Sequence, residues 1–278
     1  MKIIRAAHLG MCFGVRDAIA LALAEAEARP LTILGDLVHN DTVLAVLRAK
    51  GIATESRADK VATETVMVTA HGASRRALEA TRALGLNVLE ATCPLVHIAH
   101  RALANLVRGG YHPVIIGRRD HVEVRGLTED LDAFDVVLAE EDVWKIEERP
   151  RFGVAVQTTQ PIGHARQLVA LLRQRFPRSE VRFVDTVCQP TKERQSAAIA
   201  LAQECDVVIV IGGASSNNTR ELVNTCSRYC ARVHHVQTAL DLRAEWFIDA
   251  DCVGITAGTS TPDDLIDHVD RRVRELAA

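Results

Sequence analysis

The sequence has few aromatic residues, no surplus of positive charge and no long apolar run, and each absence excludes a class of function. Phe, Trp and Tyr make up 4% of the 278 residues, too few for the stacking surfaces that bind single-stranded nucleic acid. The net charge of −3 argues against the basic surface of a nucleic-acid-binding domain, so we expect no nucleic-acid partner. No apolar stretch reaches the roughly 18 to 20 residues that span a bilayer, so we expect no membrane partner.

The sequence also lacks several familiar motifs. No glycine-rich loop matches the Walker pattern or ends a strand in a clean GxGxxG. The 7 cysteines are an odd number and include no CxxC pair, which argues against a disulfide framework or a zinc ribbon. Residues 1–5 have the pattern of a strand and not of a secretory signal, so we expect a cytoplasmic protein whose thiols stay reduced.

Short apolar runs alternate with helical patterns along the chain. Runs such as residues 31–34, 113–116 and 207–211 have the length and composition of buried strands, and apolar stripes at helical spacing lie between them. This alternation predicts α/β units around mainly parallel sheets. A single doubly wound sheet is the alternative that periodicity leaves open.

Three cysteines, Cys12, Cys93 and Cys188, divide the chain into near-thirds, and each follows a predicted strand by a few residues. Three thiols at the ends of three strands indicate one shared site. A cubane iron–sulfur cluster usually takes four cysteines, so a three-cysteine site would leave one iron open to a substrate. We therefore predict three small α/β domains, at residues 13–93, 94–188, and 189–278 together with 1–12. The other four cysteines are interpreted as small buried apolar residues.

Polar residues follow the predicted strands, at the edge of a parallel sheet where ligands bind. His39, His71 and His121 occupy such positions, and the loops at residues 212–219 and 257–263 are rich in Gly, Ser, Thr and Asn. Neutral donors at helix N-termini suit a phosphate, and several histidines beside them suit a diphosphate. Taken singly, each of these residues is more often a surface histidine or a helix N-cap.

The order and spacing of these motifs resemble the 4-hydroxy-3-methylbut-2-enyl diphosphate reductase family, which completes the methylerythritol phosphate route to isoprenoids. The resemblance runs from residue 12 to residue 263. The motifs that carry it are CFGV at 12–15, VHN at 38–40, AHG at 70–72, ATCPLV at 91–96, HVEV at 121–124, QTTQ at 157–160, Cys188 with Thr191 and Arg194-Gln195, GGASSNNTREL at 212–222 and AGTSTPD at 257–263.

The resemblance implies three similar α/β domains in a trefoil around a central iron–sulfur cluster. It implies that Cys12, Cys93 and Cys188 hold a 4Fe-4S cluster with one open iron. The expected reaction is a two-electron reductive dehydroxylation of 4-hydroxy-3-methylbut-2-enyl diphosphate to isopentenyl diphosphate and dimethylallyl diphosphate. Because the chain has no nicotinamide or flavin motif, a separate ferredoxin or flavodoxin is the expected electron donor.

The resemblance also assigns roles to side chains. Glu123 is expected to donate the proton, with Thr158 in its hydrogen-bond network. A carboxyl near a bound anion has a raised pKa and stays protonated near neutral pH. The residues expected to bind substrate are His39, His71, His121, Thr158, Thr159, Ser216, Asn217, Asn218 and Ser260.

Several positions depart from the family pattern, including Val122, Leu127 and Glu193, and four of them bear on the substrate: Arg125, Lys192, Ser215 and Asn217. They leave open a paralogue that uses the same cluster on a different diphosphate or hydroxylated substrate. A non-catalytic iron–sulfur sensor is a further alternative, which the intact Glu123 and Thr158 argue against. The last alternative is a Rossmann-like nucleotide-binding protein whose cysteines are simply buried.

Overall fold

A computed structural model describes residues 1–276, which form three parallel sheets of four strands with helices between them. The strands in chain order are β1 (Lys2–Arg5), β2 (Leu31–Leu34), β3 (Ala53–Glu55), β4 (Thr65–Val68), β5 (Asn87–Glu90), β6 (His112–Ile116), β7 (Asp135–Val137), β8 (Arg151–Val156), β9 (Glu180–Phe183), β10 (Val207–Ile211), β11 (Arg232–Val236) and β12 (Cys252–Ala257).

Ten α-helices connect these strands within residues 1–276. They are α1 (Phe13–Ala28), α2 (Asp41–Ala49), α3 (Arg75–Ala83), α4 (Pro94–Arg108), α5 (Val122–Thr128), α6 (Glu140–Val143), α7 (Ile162–Arg175), α8 (Gln189–Glu204), α9 (Asn217–Cys226) and α10 (Asp263–Leu276). None of the helices in this described part of the chain has the length and apolar character to cross a membrane.

The strand orders confirm the predicted α/β class with parallel sheets. The first sheet has the order β3-β2-β4-β5, the second β7-β6-β8-β9 and the third β1-β12-β10-β11. All paired strands are parallel, and β1 joins the third sheet beside β12. All strands of each sheet lie within one of the three predicted segments. The division of the chain into three domains at those boundaries stays a prediction.

The chain forms two compact units. One comprises Met1–Arg16, Val38–Val46 and the residues from Gln189 onward, and it contains the third sheet. The other comprises Asp17–Leu37 and Leu47–Cys188, and it contains the first and second sheets.

Helices cover both faces of the second sheet, which explains its nearly continuous apolar strands. Val114 and Val154 pack against the apolar face of α7, and the alternate residues Ile115 and Ala155 pack against α4 and α5. The third sheet repeats this arrangement, with α10 on one face and α8 and α9 on the other. In both units the strands are held by helices packed on their faces. The polar loops follow the carboxyl ends of these strands.

The elements that differ from the sequence prediction include β3, α5 and α8. Strand β3 was missed because it has three residues, none of them buried, at the edge of its sheet. Helix α5 was read as loop because its seven residues include Val122, Val124 and Gly126, which are poor helix formers. The sequence pattern predicts a helix over residues 194–203, but α8 begins five residues earlier at Gln189, because a proline at 190 is tolerated in a first helical turn.

Candidate active site

Glu123 is a buried acidic residue in the unit that contains the first and second sheets. It lies in the first turn of α5, just after β6, and its side chain is only 1% exposed. One carboxyl oxygen accepts a hydrogen bond of 2.7 Å from the backbone N–H of Thr158, and the other accepts one of 3.0 Å from the Thr158 hydroxyl. Val124 and Leu127 anchor α5 on the second sheet, and so they fix where this carboxyl lies.

Burial raises the pKa of Glu123 from 4.5 to about 7, although both hydrogen bonds from Thr158 oppose the shift. The sequence argument expected a raised pKa from a neighbouring anion, whereas the main cause is removal of the carboxylate from water. A backbone N–H always donates, so the proton of the neutral acid belongs on the oxygen that faces the hydroxyl. When Glu123 is protonated, that oxygen donates to Thr158, and the Thr158 hydroxyl proton becomes available to another acceptor.

This buried acid makes stability depend on pH in a predictable direction. The unfolded chain ionises Glu123 above about pH 4.5, but the folded chain keeps the proton to about pH 7. The stabilising contribution is therefore complete below pH 4.5 and is lost as the pH rises to 7, a difference of about 3 kcal/mol. We expect the free energy of unfolding of Glu123→Gln, measured in urea relative to the original chain, to rise by about that amount between pH 4 and 8. An unchanged difference would contradict the raised pKa.

Two histidines lie beside this acid. His121 is the N-cap of α5, and its Nδ1 accepts a hydrogen bond of 3.1 Å from the backbone N–H of Glu123. An accepting Nδ1 places the proton of the neutral ring on Nε2, which then acts as a donor. The His71 ring lies edge-on to the His121 ring with 5.4 Å between centroids, and its Nδ1 is 3.4 Å from the Thr69 hydroxyl. The structure thus brings His71, His121 and Glu123 together at neighbouring strand ends.

Gln157 organises this region and was not among the predicted site residues. Its fully buried side chain accepts from the backbone N–H of Arg118 at 3.0 Å and donates to the Thr159 hydroxyl at 3.2 Å. The amide of Gln160 donates to the same Gln157 oxygen at 3.3 Å. These contacts link the loop after β8 to the loop after β6. The sequence signal that could have identified Gln157 is the QTTQ motif, in which two glutamines flank a pair of threonines.

Two of the three predicted cluster ligands occupy equivalent loops of this unit. The backbone N–H of Cys93 donates to the Ala70 carbonyl at 3.1 Å, beside His71, and Cys93 is the N-cap of α4. The backbone N–H of Cys188 donates to the Thr158 carbonyl at 3.0 Å. Both cysteines are half-buried. The backbone of Cys188 is therefore hydrogen-bonded to Thr158, which in turn donates two hydrogen bonds to Glu123.

The third sheet carries a second group of predicted site residues in its own unit. The backbone N–H of Cys12 donates to the Thr259 carbonyl at 3.0 Å, and the Thr259 N–H donates to the Asn218 side chain at 2.9 Å. The Ser260 hydroxyl donates to the His39 carbonyl at 3.2 Å. These bonds bring together the loops after β10 and β12, the segment that contains Cys12 and the residues before α2.

Buried donors at the start of α9 are suited to an anion. Ser216 caps the helix by accepting from the Thr219 N–H at 3.3 Å, so its own hydroxyl proton is left to donate. Asn218 is 2% exposed, and its Nδ2 has no hydrogen-bond partner among residues 1–276. A buried donor without a partner costs about 1–3 kcal/mol, which a bound acceptor would recover. Asn217 is buried beside it, and Ser260 is only 4% exposed.

Gly213 shows how closely the backbone segments approach in this unit. A Cβ atom at Gly213 would lie 2.4 Å from the His39 carbonyl oxygen, a backbone atom that has little freedom to move. We expect Gly213→Ala to lower the free energy of unfolding by about 1–3 kcal/mol in urea titrations. Gly163→Ala is the matched control, because its Cβ meets nothing within 4 Å, and helix propensity then predicts a slight stabilisation. Equal stability of the two variants would contradict the close approach.

Family comparison identifies relatives along the whole chain. A family model described as LytB protein matches residues 3–274. The chain is 35% identical over 278 residues to a 4-hydroxy-3-methylbut-2-enyl diphosphate reductase of Geobacter metallireducens, with 99% of this chain and 98% of the relative covered. A protein of the same name from Aquifex aeolicus is 36% identical over 283 residues, with 99% of this chain and 97% of the relative covered.

Solved structures agree with this comparison. The chain is similar to the E-1-hydroxy-2-methyl-but-2-enyl-4-diphosphate reductase from Plasmodium falciparum, with a TM-score of 0.91 and 26% identity over 97% of this chain and 87% of that one. It is also similar to (E)-4-hydroxy-3-methyl-but-2-enyl diphosphate reductase, titled the terminal enzyme of the non-mevalonate pathway. That match has a TM-score of 0.69 and 35% identity over 99% of this chain and 100% of that one.

Proposed function

Because this chain belongs to the LytB family, whose curated relatives are 4-hydroxy-3-methylbut-2-enyl diphosphate reductases, we propose that it is an oxidoreductase acting on that diphosphate. In the proposed reaction the allylic C–O bond breaks, two electrons and two protons enter, and the hydroxyl leaves as water. The products are isopentenyl diphosphate and dimethylallyl diphosphate. The observation that carries the proposal is the buried acid Glu123, held by both hydrogen-bond donors of Thr158.

Cys12, Cys93 and Cys188 would hold a 4Fe-4S cluster. The chemistry of the donors fits this group, because thiolates are the usual ligands of iron–sulfur clusters. These three cysteines are half-buried at polar strand ends, whereas the other four are buried in the apolar core of the third sheet. When bound, the cluster would relay the two electrons from the external donor and would supply a Lewis-acidic iron that no cysteine holds. The protein supplies position, hydrogen-bond donors and protons.

Glu123 and Thr158 would deliver the proton. A pKa of about 7 leaves a substantial fraction of Glu123 protonated at neutral pH, which suits a general acid. The proton would pass from Glu123 to the Thr158 hydroxyl oxygen as the hydroxyl gives its own proton to the substrate. The backbone N–H of Thr158 keeps the carboxyl oriented in both protonation states.

The diphosphate would be bound by neutral donors and histidines: His39, His71, His121, Thr159, Ser216, Asn217, Asn218 and Ser260. The unsatisfied Nδ2 of Asn218 and the free proton of the Ser216 hydroxyl support this assignment in one unit. The Nε2 of His121 supports it in the other. Each charge-assisted hydrogen bond to a phosphate oxygen contributes about 1.5–3 kcal/mol.

Two further parts of the proposal concern the electron donor and the cellular compartment. The electrons would come from a ferredoxin or a flavodoxin, because the chain has no nicotinamide or flavin motif. The reaction would take place in the cytoplasm, where the cysteines stay reduced and available to iron.

Two of the four departures that suggested a different substrate are exposed, Lys192 is half-buried and Asn217 is buried. The side chains of Arg125 and Ser215 are exposed, and the Ser215 carbonyl accepts from Arg220 at 3.0 Å. Asn217 is buried, and its side-chain amide carries two N–H groups. The similarity to relatives named for the same substrate therefore favours the reductase over a paralogue.

Anaerobic turnover of 4-hydroxy-3-methylbut-2-enyl diphosphate tests the proposal. The chain would be reconstituted with iron and sulfide and given a reduced viologen as the electron source. We expect both five-carbon diphosphates, detected by mass spectrometry, and no product from protein that has not been reconstituted. A fully loaded protein that makes neither product would overturn the proposal.

A further inference from the structure

Two cysteines outside the candidate active site contact each other at the amino-terminal edge of the third sheet. Cys205 directly follows α8, and Cys252 is the first residue of β12. Their Sγ atoms lie 3.0 Å apart, and both side chains are buried, at 7% and 8% exposure. The nearest apolar neighbours in their cluster include Leu201 and Val208. This contact is shorter than two unbonded sulfur atoms normally allow.

The backbone around the two thiols holds them in this position. The N–H of Asp206 donates to the Cys252 carbonyl at 3.0 Å, and the Asp206 carboxylate accepts from the N–H groups of Asp251 and Cys252, both at 2.9 Å. One residue further on, Val207 pairs with Val253 in the parallel sheet. Three hydrogen bonds and a strand pairing therefore fix the two chain segments against each other. The side chains meet without any movement of an element.

We propose that Cys205 and Cys252 are a redox-active dithiol that closes into a disulfide on reaction with a low-molecular-weight disulfide. The thiolate of Cys252 attacks the oxidant, forming a mixed disulfide and releasing one thiolate. The thiolate of Cys205 then attacks the Cys252 sulfur and releases the second. The two protons from the cysteine thiols pass to the two released thiolates. The cysteines lose two electrons, and the oxidant becomes two thiols.

The remaining two cysteines of this cluster have different partners. The thiol of Cys230 donates to the carbonyl oxygens of Asp206 and Arg232, at 3.3 and 3.6 Å. The thiol of Cys226 donates to the Ala198 carbonyl at 3.8 Å. Among the four cysteines of this cluster, the described sulfur–sulfur contact thus joins Cys205 and Cys252.

The environment makes the pair slow to react at neutral pH and faster at higher pH. Burial, and then the hydrogen bond with Cys252, raises the pKa of the Cys205 thiol far above its ordinary value. The Glu204 carboxylate and Cys230 raise the pKa of Cys205 further, and the exposed Lys2 ammonium is paired with Glu204 at 2.7 Å. Because the thiolate is the reacting form, we expect the closing rate to rise about tenfold per pH unit.

The disulfide would join the end of α8 to the start of β12. The two cysteines are 47 residues apart, so the bond would constrain a long stretch of the unfolded chain. The bond would lie at the sheet edge opposite the polar loops. We therefore expect closure to raise the thermal midpoint by about 5 °C. In a reducing cytoplasm the pair stays open, and it closes when low-molecular-weight disulfides accumulate.

Peptide mapping of the full-length holoprotein tests this proposal. Protein treated with oxidised glutathione at pH 8 is alkylated and then digested with trypsin. Residues 195–220 contain Cys205 as their single cysteine, and residues 244–271 contain Cys252 as theirs. Cys226 and Cys230 fall in two separate peptides between them. We expect one linked product of peptides 195–220 and 244–271, lighter than their sum by two hydrogen atoms, that separates on reduction.

Two variants control for incidental oxidation. Cys252→Ser is expected to lose both the linked peptide and the rise in the thermal midpoint, whereas Cys230→Ser keeps both. Because the mapping is done on the unaltered chain, a poorly folding variant does not affect its result. Recovery of Cys205 and Cys252 alkylated on separate peptides after the treatment would overturn the proposal. So would a bridge from either of them to Cys226 or Cys230 as the main product.

Discussion

Replacement of Cys188 by serine is expected to prevent normal iron loading and to lower turnover at least about 100-fold, since changes even to residues behind metal ligands cost 10- to 100-fold. A serine hydroxyl stays protonated at neutral pH and is a poor ligand for iron, whereas a thiolate is a good one. The backbone hydrogen bond from residue 188 to the Thr158 carbonyl does not involve the side chain, so the loop keeps its position. The measurements are iron per chain after anaerobic reconstitution and the rate of product formation.

Cys230→Ser is the matched control for this substitution. Cys230 is buried in the core of the third sheet, and its thiol donates to two backbone carbonyls that a hydroxyl can serve equally well. We expect this variant to load iron and turn over substrate as the unaltered chain does. If the two variants bound the same amount of iron, Cys188 would be excluded as a ligand.

The sequence predicted the parallel sheets because burial on both faces leaves a clear signal. Strands such as β6 and β10 are continuous apolar runs, since helices pack on either side of them. Elements whose sequence has no such apolar run were missed. Strand β3 lies at an edge with no buried residue, and α5 is a short helix stabilised by its packing on the second sheet and by its cap.

The sequence names candidate residues for the site, but it does not give their physical chemistry. The motifs named Glu123 and Thr158, but the depth of burial that raises the Glu123 pKa depends on how α5 packs on the second sheet. Gln157 was missed because its role lies in contacts to a loop that is remote in sequence. The contact between Cys205 and Cys252 likewise arises from strand order, which places residues 47 positions apart side by side.

Replacement of Glu123 by glutamine is expected to lower turnover by about 10²- to 10⁴-fold while leaving iron content unchanged. Glutamine has nearly the same shape, and its oxygen still accepts the 2.7 Å hydrogen bond from the Thr158 N–H. Its NH₂ group donates to the Thr158 hydroxyl but releases no proton at neutral pH. The substitution keeps the hydrogen-bond geometry at residue 123 and removes the acidic proton. Its effect on turnover therefore measures proton delivery separately from cluster binding.

The pH dependence of the rate gives a second readout. Turnover of the unaltered chain needs Glu123 in its protonated form, so we expect the rate to fall about tenfold per pH unit above pH 7. The residual rate of Glu123→Gln should stay flat between about pH 6 and 9 if no other group titrates in the rate-limiting step. A general loss of structure would change the size of the rate but would not remove its dependence on pH.

Glu79→Gln provides the control for a glutamate-to-glutamine change in the same unit. Glu79 is an exposed residue of α3, and its carboxylate lies 3.9 Å from the Arg75 guanidinium, a distance at which exposed ion pairs contribute little. We expect its turnover and pH profile to match those of the unaltered chain. Near-normal turnover in Glu123→Gln, or a pH profile that keeps its fall above pH 7, would remove Glu123 from the proton-donating role. The buried acid would then serve stability alone, and the substrate proton would have to come from a different group at the same strand ends.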